Sequence, residues 1–319
     1  MRKSVPVLVA QRIALGLVLL LAVSAVIFLG VEALPGDVAQ AIMGQSATEQ
    51  ALANFRAEHG LDQPALTRYL NWLWGILHGD LGTALSNGED IARAVGQRLG
   101  NTLFLAFWAA VISVPLAIIL GLVAARHAGR WPDRLISAVT LTTISLPEFV
   151  LGYVLLYYLG VKWQVFPPIA MVFPGMGLWE RLHAVILPVL VLVLVVLAHM
   201  MRMTRAAILN VMQSAYIETA ELKGLSPMSV IWGHAFPNAI APVVNVVMLN
   251  LAYLVVGVVV VEVVFVYPGM GQYLVDHVTK RDLPVVQAVG LIFAAVYIGL
   301  NILADVISIL ANPRLRHPK

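Results

Sequence analysis

Cysteine is absent from this chain, which excludes disulfides and thiolate metal sites and leaves the compartment open. Charge is scarce. Asp, Glu, Lys and Arg make up 12% of its 319 residues, about half the ~25% of soluble domains, which argues against a soluble fold. The 8 histidines form no i, i+4 pair, and no His-Glu-x-x-His occurs, so no metal site is visible. No Gly-x-x-x-x-Gly-Lys-Ser/Thr is present either. The chain therefore does not bind ATP through a P-loop, and any ATP it depends on is hydrolysed elsewhere. No serine stands beside an evident base. Long-period repeats are lacking too; only the tetrapeptide Pro-Gly-Met-Gly recurs, at Pro174 and Pro268.

What is there is apolar length. Hydrophobic residues make up 60% of the chain, and mean hydropathy is +0.88. A membrane helix needs about 20 mostly apolar residues, and six windows qualify: Ile13–Val31, Leu99–Ala125, Leu135–Val161, Leu182–Met201, Asn238–Val261 and Leu283–Ala304. The third carries one acid, Glu148; the others carry no charge. With an inside N-terminus, 12 of the 20 Lys and Arg fall inside, although the outer segments are longer. The positive-inside rule then puts both termini in the cytoplasm. The first run is longer than a signal-peptide core and lacks a small-x-small cleavage site, so it reads as a retained helix.

Residues 32 to 98 form a long outer segment, with helical character at Thr48–Gly60 and Thr67–Leu77. In the latter, Trp72 and Trp74 suit the headgroup level. The fourth span runs on past Arg202 and Arg205 into a polar elbow, Ser214 to Pro237. Gly224 reads as the residue ending one short helix, and Ser226-Pro227 as N-cap and first-turn proline of the next. Pro237 is expected to close that second helix before the fifth span.

The elbow spacing, Glu218-Thr219-Ala220, three residues, Gly224, nine residues, His234-Ala-Phe-Pro237, resembles the "EAA" loop of ABC-importer permeases. Glu218, Ala220, Gly224 and Pro237 match that pattern; Thr219, His234 and Phe236 depart from it. Further pieces lie in order along the chain. They are Glu58-His-Gly-Leu-Asp-Gln-Pro64, Gly79-Asp-Leu-Gly82, Arg98-Leu-Gly-Asn-Thr-Leu, Glu262-Val-Val-Phe-Val-Tyr-Pro-Gly-Met-Gly, Arg281-Asp-Leu-Pro and Asn312-Pro-Arg-Leu-Arg. Together they identify the chain as similar to the dipeptide/oligopeptide (peptide/nickel) permease family.

The resemblance implies an all-α polytopic fold of the type I importer permease, with six transmembrane helices, in a bacterial inner membrane. It divides the chain into residues 1–98 (first helix plus outer segment), 99–311 (permease core, with the coupling elbow near 213–237) and a cytoplasmic tail, 312–319. The implied partners are a second related permease, two cytoplasmic ATPase subunits and an extracytoplasmic solute-binding protein. The implied cargo is peptide. The chain itself would bind no cofactor and hold no metal, with ATP and Mg in the ATPases. Coupling would fall to Tyr216, Glu218, Thr219, Ala220, Gly224, Leu225 and Pro237.

Five polar positions in or beside the spans remain. Glu148 either lines the path, as an intramembrane acid should, or sits near an interface beside Pro147. Glu262 is either an outer gate or an anchor for the turn before Pro268. Asn245 and Asn250 either border the path or hydrogen-bond between helices. Asp305 is expected to pair with inner arginines. The rival readings are importers of nickel or glutathione, a gradient-driven transporter, and an intramembrane enzyme. The last two lack, respectively, inverted repeats and a visible catalytic pair.

Overall fold

The computed structural model describes residues 5–33 and 36–311. The Asn312 motif, the tail and the arginines and lysines at both extreme ends lie outside the described residues. The elements in order are α1 (Val5–Glu32), α2 (Val38–Met43), α3 (Glu49–Glu58), α4 (Ala65–Leu77), α5 (Ile91–Arg126), α6 (Trp131–Ser145), α7 (Glu148–Leu155), α8 (Leu178–Ala184), α9 (Ile186–Met212), α10 (Ala215–Leu222), α11 (Pro227–Val230), α12 (Phe236–Val264), α13 (Met270–Thr279) and α14 (Leu283–Ala311). No strand occurs among the described residues. Five of the helical runs are long and apolar enough to cross a membrane, or six if α6 and α7 count as one bent span.

The centre of the bundle is α9, packed between α5 and α12. Its partner face on α5 is a row of small buried residues, Ala109, Ser113, Ala117, Gly121 and Ala125, four apart. Small side chains at this spacing let two backbones approach closely, which is how helices associate where lipid removes the usual hydrophobic drive. Leu187, Leu192, Met200 and Met201 of α9 fill the seam. At the edge, α1 leans on α14 and shows Leu15, Leu17, Val18 and Leu19 outward, as a lipid-facing helix should. An ion pair ties Arg12 to Asp305 at 3.2 Å. At the other end, Arg68 of α4 pairs with Glu32, and Ser24 shares a 2.9 Å hydrogen bond with Tyr69. Trp72 stacks near Phe28 in this outer cap, while Trp74 stays exposed.

Two features differ from expectation. The third span is not one helix. α6 stops at Ser145, Leu146 is extended (φ −90°, ψ 132°), and α7 leaves at 102°. Pro147 has no N–H to give, and it forces the preceding residue out of helical geometry. The hydroxyls of Thr142, Thr143 and Ser145 turn back onto carbonyls of their own helix, four residues earlier. α7 then continues as a π-helix, Leu156–Lys162.

Pro237, secondly, closes nothing. α11 passes through a π-helical turn, Ile231–Ala235, directly into α12, and Pro237 occupies the first turn of α12. Proline is tolerated there, where its missing N–H is least needed.

Candidate functional site

The elbow begins where α9 ends. Ser214 has extended backbone (φ −83°, ψ 146°), and its hydroxyl bonds back to the Val211 carbonyl. α10 follows. Ile217 and Ala220 are buried against Val230, Ala235, Val211 and Met212. Tyr216, Glu218, Thr219 and Leu225 face outward, and Thr219 also bonds its own helix at the Ala215 carbonyl, 2.9 Å away. Ala220 therefore packs beneath the elbow rather than on its surface.

Gly224 reverses the chain at φ +79°, in the left-handed region that a β-carbon penalises. Its N–H reaches the Glu221 carbonyl at 2.9 Å. Ser226 caps α11, its hydroxyl accepting from the Ser229 N–H at 3.3 Å. Sequence reasoning overlooked the most prominent outward side chain of the elbow, Leu222, which is 82% exposed, and the exposed apolar Met228 and Trp232 further along. A leucine two residues before the glycine is the signal that marks it: an apolar residue at a helix end with no buried face left to join.

Glu148 opens α7 at the bend, and α7 packs on α12. One of its carboxylate oxygens, Oε1, is buried without a hydrogen-bond partner among the described residues. It lies within electrostatic reach of Tyr253. That tyrosine belongs to an exposed stripe of α12, Asn238, Pro242, Asn245, Leu249 and Tyr253, spaced four, three, four and four apart. Asn245 stands on that stripe. Asn250 does not; it donates to the Val246 carbonyl of its own helix at 2.8 Å. Tyr253 was not singled out from the sequence, since a lone tyrosine in an apolar run reads as packing.

Glu262 is fully buried. One oxygen accepts from the Thr102 hydroxyl at 2.6 Å, and the other from the N–H groups of Gly271 (2.6 Å) and Gln272 (3.2 Å). Thr102 in turn accepts from the Met270 N–H at 2.9 Å. The carboxylate thus fastens α5, α12 and the Pro268–Gly271 turn into one knot. A side chain at position 271 would bring its β-carbon within 2.5 Å of the Val259 Cα, so the turn also requires glycine for clearance. Alongside, the Tyr267 hydroxyl donates to the Asn101 carbonyl at 2.9 Å. Burial pushes that hydroxyl up to about 12, keeping it a donor. Asn101 and Thr102 stood in the sequence only as letters of a motif, without a role of their own, because Pro268 and Glu262 lie 167 and 160 residues away.

Among the described residues no group of three or more His, Asp or Glu is placed to hold a metal.

Residues 117–317 match the family described as "Binding-protein-dependent transport system inner membrane component", and residues 6–106 match its N-terminal companion. The probable peptide ABC transporter permease protein y4tP of Sinorhizobium fredii is 33% identical over 313 residues, covering 98% of this chain and 99% of that protein. The glutathione transport system permease protein GsiC of Salmonella typhimurium is 36% identical over 298 residues, covering 93% and 95%. Among solved structures, an inward-facing MetNI methionine ABC transporter is similar with a TM-score of 0.47 at 20% identity, over 70% of this chain and 96% of that one.

Proposed function

The chain belongs to the family of binding-protein-dependent transport system inner membrane components, a non-catalytic, multi-pass permease of an ATP-driven importer, and from that premise we propose that it conducts peptides and is driven through its Glu218–Pro237 elbow. The family works with an ATPase and a substrate-binding protein. In the fuller arrangement proposed here, a second permease completes the path, two ATPase subunits bind ATP and Mg, and cargo arrives from the binding protein outside. Peptide cargo is supported by relatives described as peptide and glutathione permeases, glutathione itself being a tripeptide.

The observation that carries the coupling reading is the two-sidedness of the elbow. Its inner face is packed, while Tyr216, Leu222 and Leu225 present apolar surface outward. Exposed apolar side chains beside charges are the composition of a protein interface rather than of a solvated loop. Motion applied there has a stiff route onward, because the backbone from Pro227 to Val264 stays helical without interruption. The far end of that rod is the Glu262 knot. Displacing the elbow would therefore move the outer turn as well, and α12 carries the exposed stripe with Asn245 between the two.

The test is a pull-down of the tagged chain from native membranes in mild detergent, followed by ATPase and uptake assays of the reconstituted assembly. A P-loop ATPase and a second six-span permease should co-purify, and peptide-loaded binding protein should stimulate hydrolysis. A chain recovered alone, whose uptake followed a proton or sodium gradient and ignored ATP, would overturn the reading.

A further inference from the structure

Three sequence motifs that the elbow reading leaves unused meet at one place on the outer side. The Arg98-Leu-Gly-Asn-Thr-Leu stretch and both Pro-Gly-Met-Gly turns border a cavity of about 450 Å³. That volume lies within the ~300–1,000 Å³ of small-ligand sites. Two guanidinium groups line it, from Arg98 and Arg181, against one acid, the exposed Glu89. Among the described residues neither arginine is ion-paired. Of the acids nearby but outside the lining, Glu262 has both oxygens occupied by the knot, Glu180 accepts from the Gly177 N–H, and Asp282 accepts from the Leu85 and Ser86 N–H groups.

Both arginines are held in place by neutral neighbours. Arg181 stacks over the Phe104 ring at 3.9 Å and donates to the Asn101 side chain at 2.8 Å. Asn101 is itself fixed by donating to the Pro268 carbonyl at 2.8 Å. Arg98 lies over the Tyr273 ring at 4.4 Å. The Nε of Arg181 is buried and has no hydrogen-bond partner among the described residues. A buried donor left empty is costly, and a guanidinium already oriented spares a ligand the expense of ordering it. Planar, doubly accepting anions suit such a fork best. Phe173 and Met176 add an apolar wall.

We propose that this cavity is a carboxylate site that takes the C-terminal carboxylate of a peptide as it enters from the outer side, an assignment that rests on the peptide reading above. The wall formed by Phe173 and Met176 would lie along the adjoining side chains, leaving sequence preference loose.

The experiment uses the assembled importer in nanodiscs with trialanine and trialanine amide as probes. Phenylglyoxal modification of Arg98 and Arg181 is followed by mass spectrometry. Trialanine should slow modification of both arginines, and the amide should not. Arg98→Gln, or Arg181→Lys if the glutamine variant proves unstable, should raise the protecting concentration roughly tenfold, the loss of one charge-assisted hydrogen bond. Equal protection by acid and amide, or none by either, would overturn the assignment. Protection by the unloaded binding protein alone would also overturn it, making the cavity a docking surface for that protein. Trialanine uptake is measured in parallel in proteoliposomes. Protection without any uptake would defeat the peptide-import reading while leaving the carboxylate site standing.

Discussion

Arg205 grips Asp133 with two prongs, Nε to Oδ1 at 2.7 Å and Nη2 to Oδ2 at 2.8 Å, and so ties the start of α6 to the inner part of α9. Asp133 is nearly buried and also accepts from the Gly129 N–H at 2.8 Å. Parallel two-bond geometry makes this the strongest class of ion pair. Replacing Arg205 with Gln strands a carboxylate in a poorly solvated place. The expected loss is about 2 kcal/mol, below the ~3–5 of a fully enclosed pair because Arg205 keeps some contact with solvent. Thermal unfolding of the purified protein measures it. An unchanged midpoint would show that the pair contributes nothing to the scaffold.

At Gly224 the left-handed backbone separates two substitutions that a size argument would treat alike. A β-carbon there meets no atom within 4 Å, so space is not the constraint. Valine pays the left-handed penalty of about 1–2 kcal/mol and more for its branch; asparagine tolerates that region. Gly224→Val should abolish cargo-stimulated ATPase activity while leaving membrane insertion intact, and Gly224→Asn should retain most of it. Wild-type uptake by the valine variant would remove the elbow's turn from the coupling argument.

Glu148→Gln keeps the shape of the side chain and removes its charge. If the acid meets cargo or its counter-charges, uptake kinetics should change several-fold with the unfolding temperature held. Identical kinetics would leave Glu148 a component of the bend and nothing more.

The outer cap should respond to acid. The Arg56 guanidinium, 2.6 Å away, holds the Asp37 carboxyl below the usual carboxylate range, helped by the N–H groups of Ala39 and Gln40 and opposed by partial burial. A carboxyl whose folded value is depressed stabilises above its unfolded value, ~3.9, and loses that contribution as pH falls through the folded value. Pepsin cleavage between residues 36 and 60 should therefore rise below about pH 4. In Arg56→Gln cleavage should already be faster at about pH 5 and its rise toward acid should flatten, because the main cause of the depressed value is gone. A cleavage rate indifferent to that substitution would show that the pair does not hold the cap.

The spans were legible because bilayer thickness imposes a length on apolar runs, and the elbow's turns because Gly224 and Ser226-Pro227 state their geometry locally. Proline was the ambiguous letter. Pro115 and Pro242 sit inside unbroken helices, Pro237 sits in a first turn, and only Pro147 accompanies a sharp break. The residue alone does not distinguish these cases; the neighbours that must accept a bend do. The Glu262 knot was hidden for a similar reason. An acid at the end of an apolar run suits gate and anchor equally, until Thr102 is brought to it across 160 residues.

The break between Ser145 and Glu148 has a consequence for how this chain can be solvated. Hydrocarbon cannot hydrogen-bond a peptide group, and each one left bare costs several kcal/mol. The hydroxyls nearest the break point back into α6, so they offer nothing across the gap. The side of the molecule carrying the break must therefore be wetted by water or covered by protein. Released singly into lipid, the chain is a wall with an unfinished edge, and its insertion becomes complete only when that edge is closed.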